Sequence, residues 1–166
     1  MTKLECNEKE IAQKCGITLD ILRKLKKQTL DAKNKSYSPY SHFKVGCCLL
    51  ITSNDTDDTN NATAFLQGTN VENASYGNAI CAERSAIVSA ISQGYSKSNG
   101  YKFKCIAIVA DTTENDFITP CGICRQVIRE FCNDTTKIIM FNYDCTICCL
   151  KTINDLLPLS FGPEYL

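Results

Sequence analysis

The sequence predicts an α/β fold, a three-layer α/β/α sandwich around a mixed five-stranded sheet. Three observations carry that prediction. Five apolar stretches read as strands, helical apolar patterns alternate with them through the middle of the chain, and 166 residues suit one compact domain spanning 1–166.

From Ile17 to about Asn34 the residues Leu19, Ile21, Leu22, Leu25 and Leu30 recur at helical spacing between lysines. This is the pattern of an amphipathic helix whose lysine run is a solvated face. Val45 to Thr52 is a continuous apolar run, as expected of a strand covered on both sides. Ser53 to Thr63 is rich in Asn, Asp and Thr and reads as a long exposed loop. Ala64 to Val71 resumes a strand pattern, and Cys81 to Ser92 is small and apolar enough for a buried helix. Phe103 to Ala110 is again a buried strand. A helix from Cys121 to about Cys132 opens behind Pro120, and Lys137 to Tyr143 and Thr146 to Thr152 complete the strands. No internal repeat or linker divides the chain.

Lysine plus arginine and aspartate plus glutamate each total 18, so there is no net positive field to hold a phosphate backbone, and a nucleic-acid partner is not expected. Met1 to Lys14 lacks the apolar stretch of a secretory signal, and no run reaches membrane-spanning length. A soluble, cytoplasmic protein without a membrane partner is expected. In such a reducing compartment the twelve cysteines serve as small buried groups, metal ligands or thiols, not as cross-links.

Two segments carry chemistry: Cys81-Ala82-Glu83 and Pro120-Cys121-Gly122-Ile123-Cys124. Each falls where a helix should start, and there unpaired backbone N–H groups and the helix dipole favour thiolates. Cys121 and Cys124, one turn apart on one face, can reach a single ion, and Cys81 supplies a third sulfur from the other helix. Zinc held by three protein ligands keeps a position for water, the arrangement of a catalytic site. Glu83, two residues past the first cysteine, is placed to take a proton from that water and return it to a substrate.

These segments resemble the signature of the zinc nucleoside deaminases, specifically the small cytidine deaminases with three cysteine ligands. The similarity extends through Ser38 to Phe43, Asn70 to Tyr76, Arg84, Cys121 to Phe131 and Ser160 to Glu164. The Ser53 to Thr63 loop departs from it by its length. The resemblance implies one Zn²⁺ per chain on Cys81, Cys121 and Cys124, with Glu83 as proton shuttle. It implies that Asn70 and Glu72 hold the ribose 3'-hydroxyl, that Phe43 packs on the pyrimidine, and that the backbone at Ala82 and Thr119 reads the base. Arg84 would donate to the sulfurs and offset their charge. The implied reaction is hydrolytic deamination of free cytidine and deoxycytidine to uridine and deoxyuridine in pyrimidine salvage. The implied assembly is a homotetramer in which Phe161 and Tyr76 reach neighbouring active sites.

Other readings stay open on the residues alone. Cys-x-x-Cys also marks structural zinc knuckles and redox pairs. Cys145-Thr146-Ile147-Cys148 has the same spacing, but in a strand its two sulfurs would point to opposite faces, so packing is the expected role there. His42, the sole histidine, is expected to be a surface or packing residue, and Phe43 and Phe161 could be core aromatics. A blasticidin-type deaminase shares the zinc segments, and a zinc-stabilised RNA-binding module would need a fourth protein ligand.

Overall fold

The structure, a computed structural model, describes residues 4–5, 7–53, 62–134 and 136–166. Most of the expected exposed loop, residues 54–61, lies outside the described residues. The elements run β1 (Leu4–Glu5), α1 (Glu8–Cys15), α2 (Leu19–Asn34), β2 (Val45–Ser53), β3 (Ala62–Thr69) and α3 (Ala82–Ser92). They continue as β4 (Tyr101–Ala110), α4 (Gly122–Phe131), β5 (Lys137–Phe141), β6 (Ile147–Thr152) and α5 (Ile153–Leu156). Among the described residues no helix is long and apolar enough to cross a membrane.

The strand order is β1-β6-β5-β4-β2-β3. All five expected strands are present, and the two-residue β1 adds an edge beside β6. Only β4 and β5 pair in parallel, so the sheet is mixed. Both faces are covered. On one, Leu49, Ile51, Ile106, Ile108, Ile138 and Met140 pack with Ala86, Ile87, Ile128 and Ile153 of α3, α4 and α5. On the other, Cys48, Leu50, Val109, Ile139 and Phe141 pack with Ile11, Leu22 and Leu25 of α1 and α2. Alternate residues of each central strand feed opposite cores, which is why these strands read as continuous apolar runs.

The topology places the chemistry. Because β3 and β4 both run antiparallel to β2, they run parallel to each other, and β4 is parallel to β5. Parallel strands need a crossover, and α3 and α4 supply the two here. The N-termini of both helices therefore meet at the same end of the sheet, beyond the carboxyl ends of β3 and β4, where open α/β sheets bind ligands. Two glycines bring helices close to the sheet at this end. A Cβ at Gly46 would lie 2.4 Å from Thr29 O and Lys33 N of α2, and one at Gly68 would lie 2.3 Å from Ala82 O and Ala86 N of α3.

The structure adds one helix to those the sequence predicts and corrects one expectation. The chain before Ile17 forms a helix, α1, started by Asn7, whose side chain accepts from Glu10 N, and ended by Gly16 in the left-handed conformation. Cys145 is not in a strand. It sits in the turn before β6 with φ of +63°, and both Cys145 and Cys148 are buried in the core on the α1 and α2 side. The turn is set by Asp144, which accepts from Thr146 N and Oγ1, and by Asn142, whose Oδ1 accepts from Ile147 N.

Candidate metal and catalytic site

Cys81 and Cys121 are the N-cap residues of α3 and α4, and Cys124 lies in the first turn of α4. Neither cap sulfur caps its helix by accepting from the backbone N–H groups of the first turn. The chain reaches Cys81 through a fixed path: Val71 and Ile80 exchange backbone hydrogen bonds of 3.0 Å, closing the 72–79 loop. Ser85 then ties α3 to β3, accepting from Thr69 N at 2.9 Å and donating to Thr69 O.

The three sulfurs lie within 4.8 Å of one another, with Cys81 and Cys121 3.9 Å apart. Thiolates about 2.3 Å from one tetrahedral zinc would sit about 3.8 Å apart, so the donor set fits that ion. Among the described residues no fourth ligand atom joins this group. Among the described residues, Cys145 and Cys148 belong to no group of three or more such ligands.

The cluster is arranged to carry negative charge. The Cys81 thiol is held down at about 5, first by a hydrogen bond from Cys124 and then by Arg84 and Cys121, while Cys124 is pushed up because it shares its proton with Cys81. Arg84 Nη2 donates to the Cys81 sulfur at 3.8 Å and to Ala79 O at 3.1 Å. Its Nε is buried with no hydrogen-bond partner, a donor suited to a cluster of charged sulfurs.

Glu83 is 3% exposed, and burial raises its carboxyl above the ordinary value. It lines a cleft of about 270 Å³ together with Cys81, Ala82, Cys121, Thr119, Asn70 and Glu72. A buried carboxyl with a raised pKa beside a cluster of thiols that could hold a metal is suited to take up and return protons.

Asn70 and Glu72 reach the cleft but are also structural. Asn70 Oδ1 accepts from Val45 N at 2.8 Å and Ser36 Oγ at 2.6 Å, and its Nδ2 donates to Phe43 O at 2.9 Å. Glu72 accepts from Tyr40 N at 2.9 Å, Ser41 N at 3.2 Å and Ser41 Oγ. Tyr76 lines an adjoining pocket with Glu72 and Ala79 and is 81% exposed. Phe43 and Phe161 do not line the cleft of the single chain. Phe161 is exposed and stacked on Tyr165 at 5.5 Å, and its segment is pinned to α4 through Gln126, which donates to Phe161 O, and Arg129, which pairs with Glu164. His42 is exposed, with φ of +56°, and belongs to no metal group.

One residue that sequence patterns did not single out matters here. Arg125 donates to Pro120 O at 2.7 Å, to Thr119 Oγ1 at 3.0 Å and to Leu156 O at 2.8 Å. It holds the rim of the cleft to α5. Its sequence signals were its position beside Cys124 and its place in the Cys121 to Phe131 stretch of the resemblance.

The family described as "Cytidine and deoxycytidylate deaminase zinc-binding region" matches residues 20–141. The cytidine deaminase of Halalkalibacterium halodurans is 38% identical over 138 residues, 83% of this chain and 92% of that protein. The crystal structure of cytidine deaminase from Burkholderia pseudomallei superposes with a TM-score of 0.69 at 37% identity, covering 84% of this chain and 98% of that one. That of Mycobacterium tuberculosis cytidine deaminase gives 0.62 at 30% identity over 84% and 96%. With matched sequence, superposed fold and three cysteine sulfurs gathered at two helix starts, the chain belongs to the cytidine and deoxycytidylate deaminase family.

Proposed function

We propose that the protein is a zinc-dependent cytidine deaminase that releases ammonia from free cytidine and deoxycytidine, leaving uridine and deoxyuridine. The observation that carries this reading is the convergence of Cys81, Cys121 and Cys124 with buried Glu83 in one cleft.

Cys81, Cys121 and Cys124 would hold Zn²⁺, which when bound supplies Lewis-acid activation of water toward the C4 carbon of cytosine. Glu83 would accept one proton from that water and deliver it to N3 of the ring, then take a second from the new C4 hydroxyl and pass it to the departing amine, ending as it began. Its burial keeps bulk water from competing for those protons. Arg84 offsets the thiolate charge that would otherwise weaken the metal as an acid. The backbone at Ala82 and Thr119 lines the cleft where the polar edge of the base would lie, and Arg125 keeps the Thr119 side from drifting. Asn70 and Glu72 would meet the ribose 3'-hydroxyl with the bonding capacity left over from the 36–45 segment. Contacts to the 3'-hydroxyl and none to the 2'-hydroxyl admit both sugars.

The same reading assigns the protein to pyrimidine salvage in the cytoplasm, as a homotetramer that shares its active sites. Phe161, Tyr76 and Phe43 would then serve in an assembled site, and the exposure of Phe161 and Tyr76 supports that assignment. Loss of cytidine absorbance, followed with and without a zinc chelator, tests the function. Chelator-sensitive turnover is expected, and an inactive zinc-loaded protein would refute it. Parallel assays with deoxycytidine and a blasticidin-type antibiotic define the substrate class.

A further inference from the structure

We propose that a second pocket, lined by Lys14, Lys102, Lys104 and Lys137, binds small molecules that carry adjacent phosphate groups. Lys102 and Lys104 stand at the start of β4 and Lys137 at the start of β5, whereas the cysteine cluster lies beyond the other end of β4. The pocket has a volume of about 350 Å³, and its remaining wall includes Cys15 and Thr136.

Its charge is one-sided. The chain as a whole carries 18 basic and 18 acidic residues, yet no carboxylate is among the described residues lining this pocket. Lys14 is paired with Glu10, but Lys104 and Lys137 form no ion pair among the described residues. Lys104 reaches across the end of α1, its Nζ lying 3.5 Å from where a Cβ on Gly16 would be. The Cys15 thiol senses the same field: it is held below its ordinary value first by Cys105 and then by Lys137 and Lys104.

Several ammonium groups around one concavity repel one another, and a compact polyanion removes that repulsion while a singly charged ion satisfies only part of it. Adjacent phosphates place several charges within such a volume. Inorganic triphosphate and a nucleoside triphosphate share this chemistry.

Isothermal titration of the zinc-loaded wild type with inorganic triphosphate at low salt tests the site, because screening weakens such contacts. Saturable binding is expected, and Lys104→Gln combined with Lys137→Gln should weaken it roughly tenfold or more. Lys24→Gln combined with Lys27→Gln removes the same charge from residues that do not line the pocket, and should bind as the wild type does. Absence of binding to the wild type, or equal weakening in both double variants, overturns the proposal. A parallel titration with adenosine triphosphate identifies the occupant: tighter binding than triphosphate supports a nucleotide, and equal binding supports the phosphate chain alone. Cytidine turnover in the Lys104→Gln, Lys137→Gln protein should match the wild type, so failure of this proposal and failure of the deaminase assignment are separate results.

Discussion

Gly68 of β3 lies directly under the first turn of α3, so close that a Cβ on it would stand 2.3 Å from the backbone nitrogen of Ala86. The glycine is needed for space, since its backbone conformation is open to other residues. Gly68→Ala must therefore lift the helix that carries Cys81 and Glu83. A loss of about 2 kcal/mol, near 5 °C in Tm, is expected together with weaker zinc retention and lower turnover. Calorimetry and metal analysis of the purified variant check this, and a fully stable, fully active variant would contradict the close packing.

Glu83→Gln should keep fold and zinc while turnover falls by about two orders of magnitude or more, because glutamine preserves the shape but cannot carry the proton. Removing a buried carboxyl also leaves Tm unchanged or higher. Substantial activity in this variant would remove Glu83 from the assigned role.

Cys124→Ala should abolish zinc binding, whereas Cys148→Ala should retain one zinc per chain. Both residues are buried, so packing losses are comparable and only the position in the cluster differs. Metal content measured on the two proteins decides between them.

The turn before β2 should loosen in acid. Glu72 is held below the usual carboxyl range by the Ser41 hydroxyl first and the Tyr40 amide next. A depressed carboxyl stabilises the fold above its unfolded pKa, and that contribution disappears as pH falls through the lower folded value. Relative to the intrinsic rate at each pH, hydrogen exchange at the Tyr40 and Ser41 amides should therefore rise below about pH 4. In Glu72→Gln it should already be fast at neutral pH, and slow exchange there would show that the carboxylate is not the restraint.

Phe161→Ala should bind zinc yet lose most activity, and mixed oligomers with Glu83→Gln should be more active than either parent. In such a hybrid a subunit with intact Glu83 borrows Phe161 from its neighbour. No recovery in purified hybrids, or an active monomeric wild type, would confine Phe161 to packing within its own chain.

Local spacing made much of this molecule legible. The β2 and β4 runs are apolar on both faces, and the cysteine motifs lie at helix starts, so neighbours in sequence were enough to place them. The helix over Glu8–Cys15 escaped notice because its many charges hid three buried residues, although Asn7 and Gly16 marked both its ends. Cys145 was misplaced because a left-handed turn made by Asp144 and Asn142 resembles a strand when read as a list of apolar residues. Asn70 fastens three residues far from it in sequence, and Arg125 joins its own rim to Leu156. Contacts of that span leave no periodic trace.

The Arg125 clamp has a consequence for biosynthesis. In translation all three sulfurs emerge from the ribosome before the Leu156 carbonyl that completes the clamp, which follows Arg125 by 31 residues. A nascent chain can therefore gather its cysteines before the rim opposite them is fixed, so metal capture can precede the ability to turn over substrate during translation.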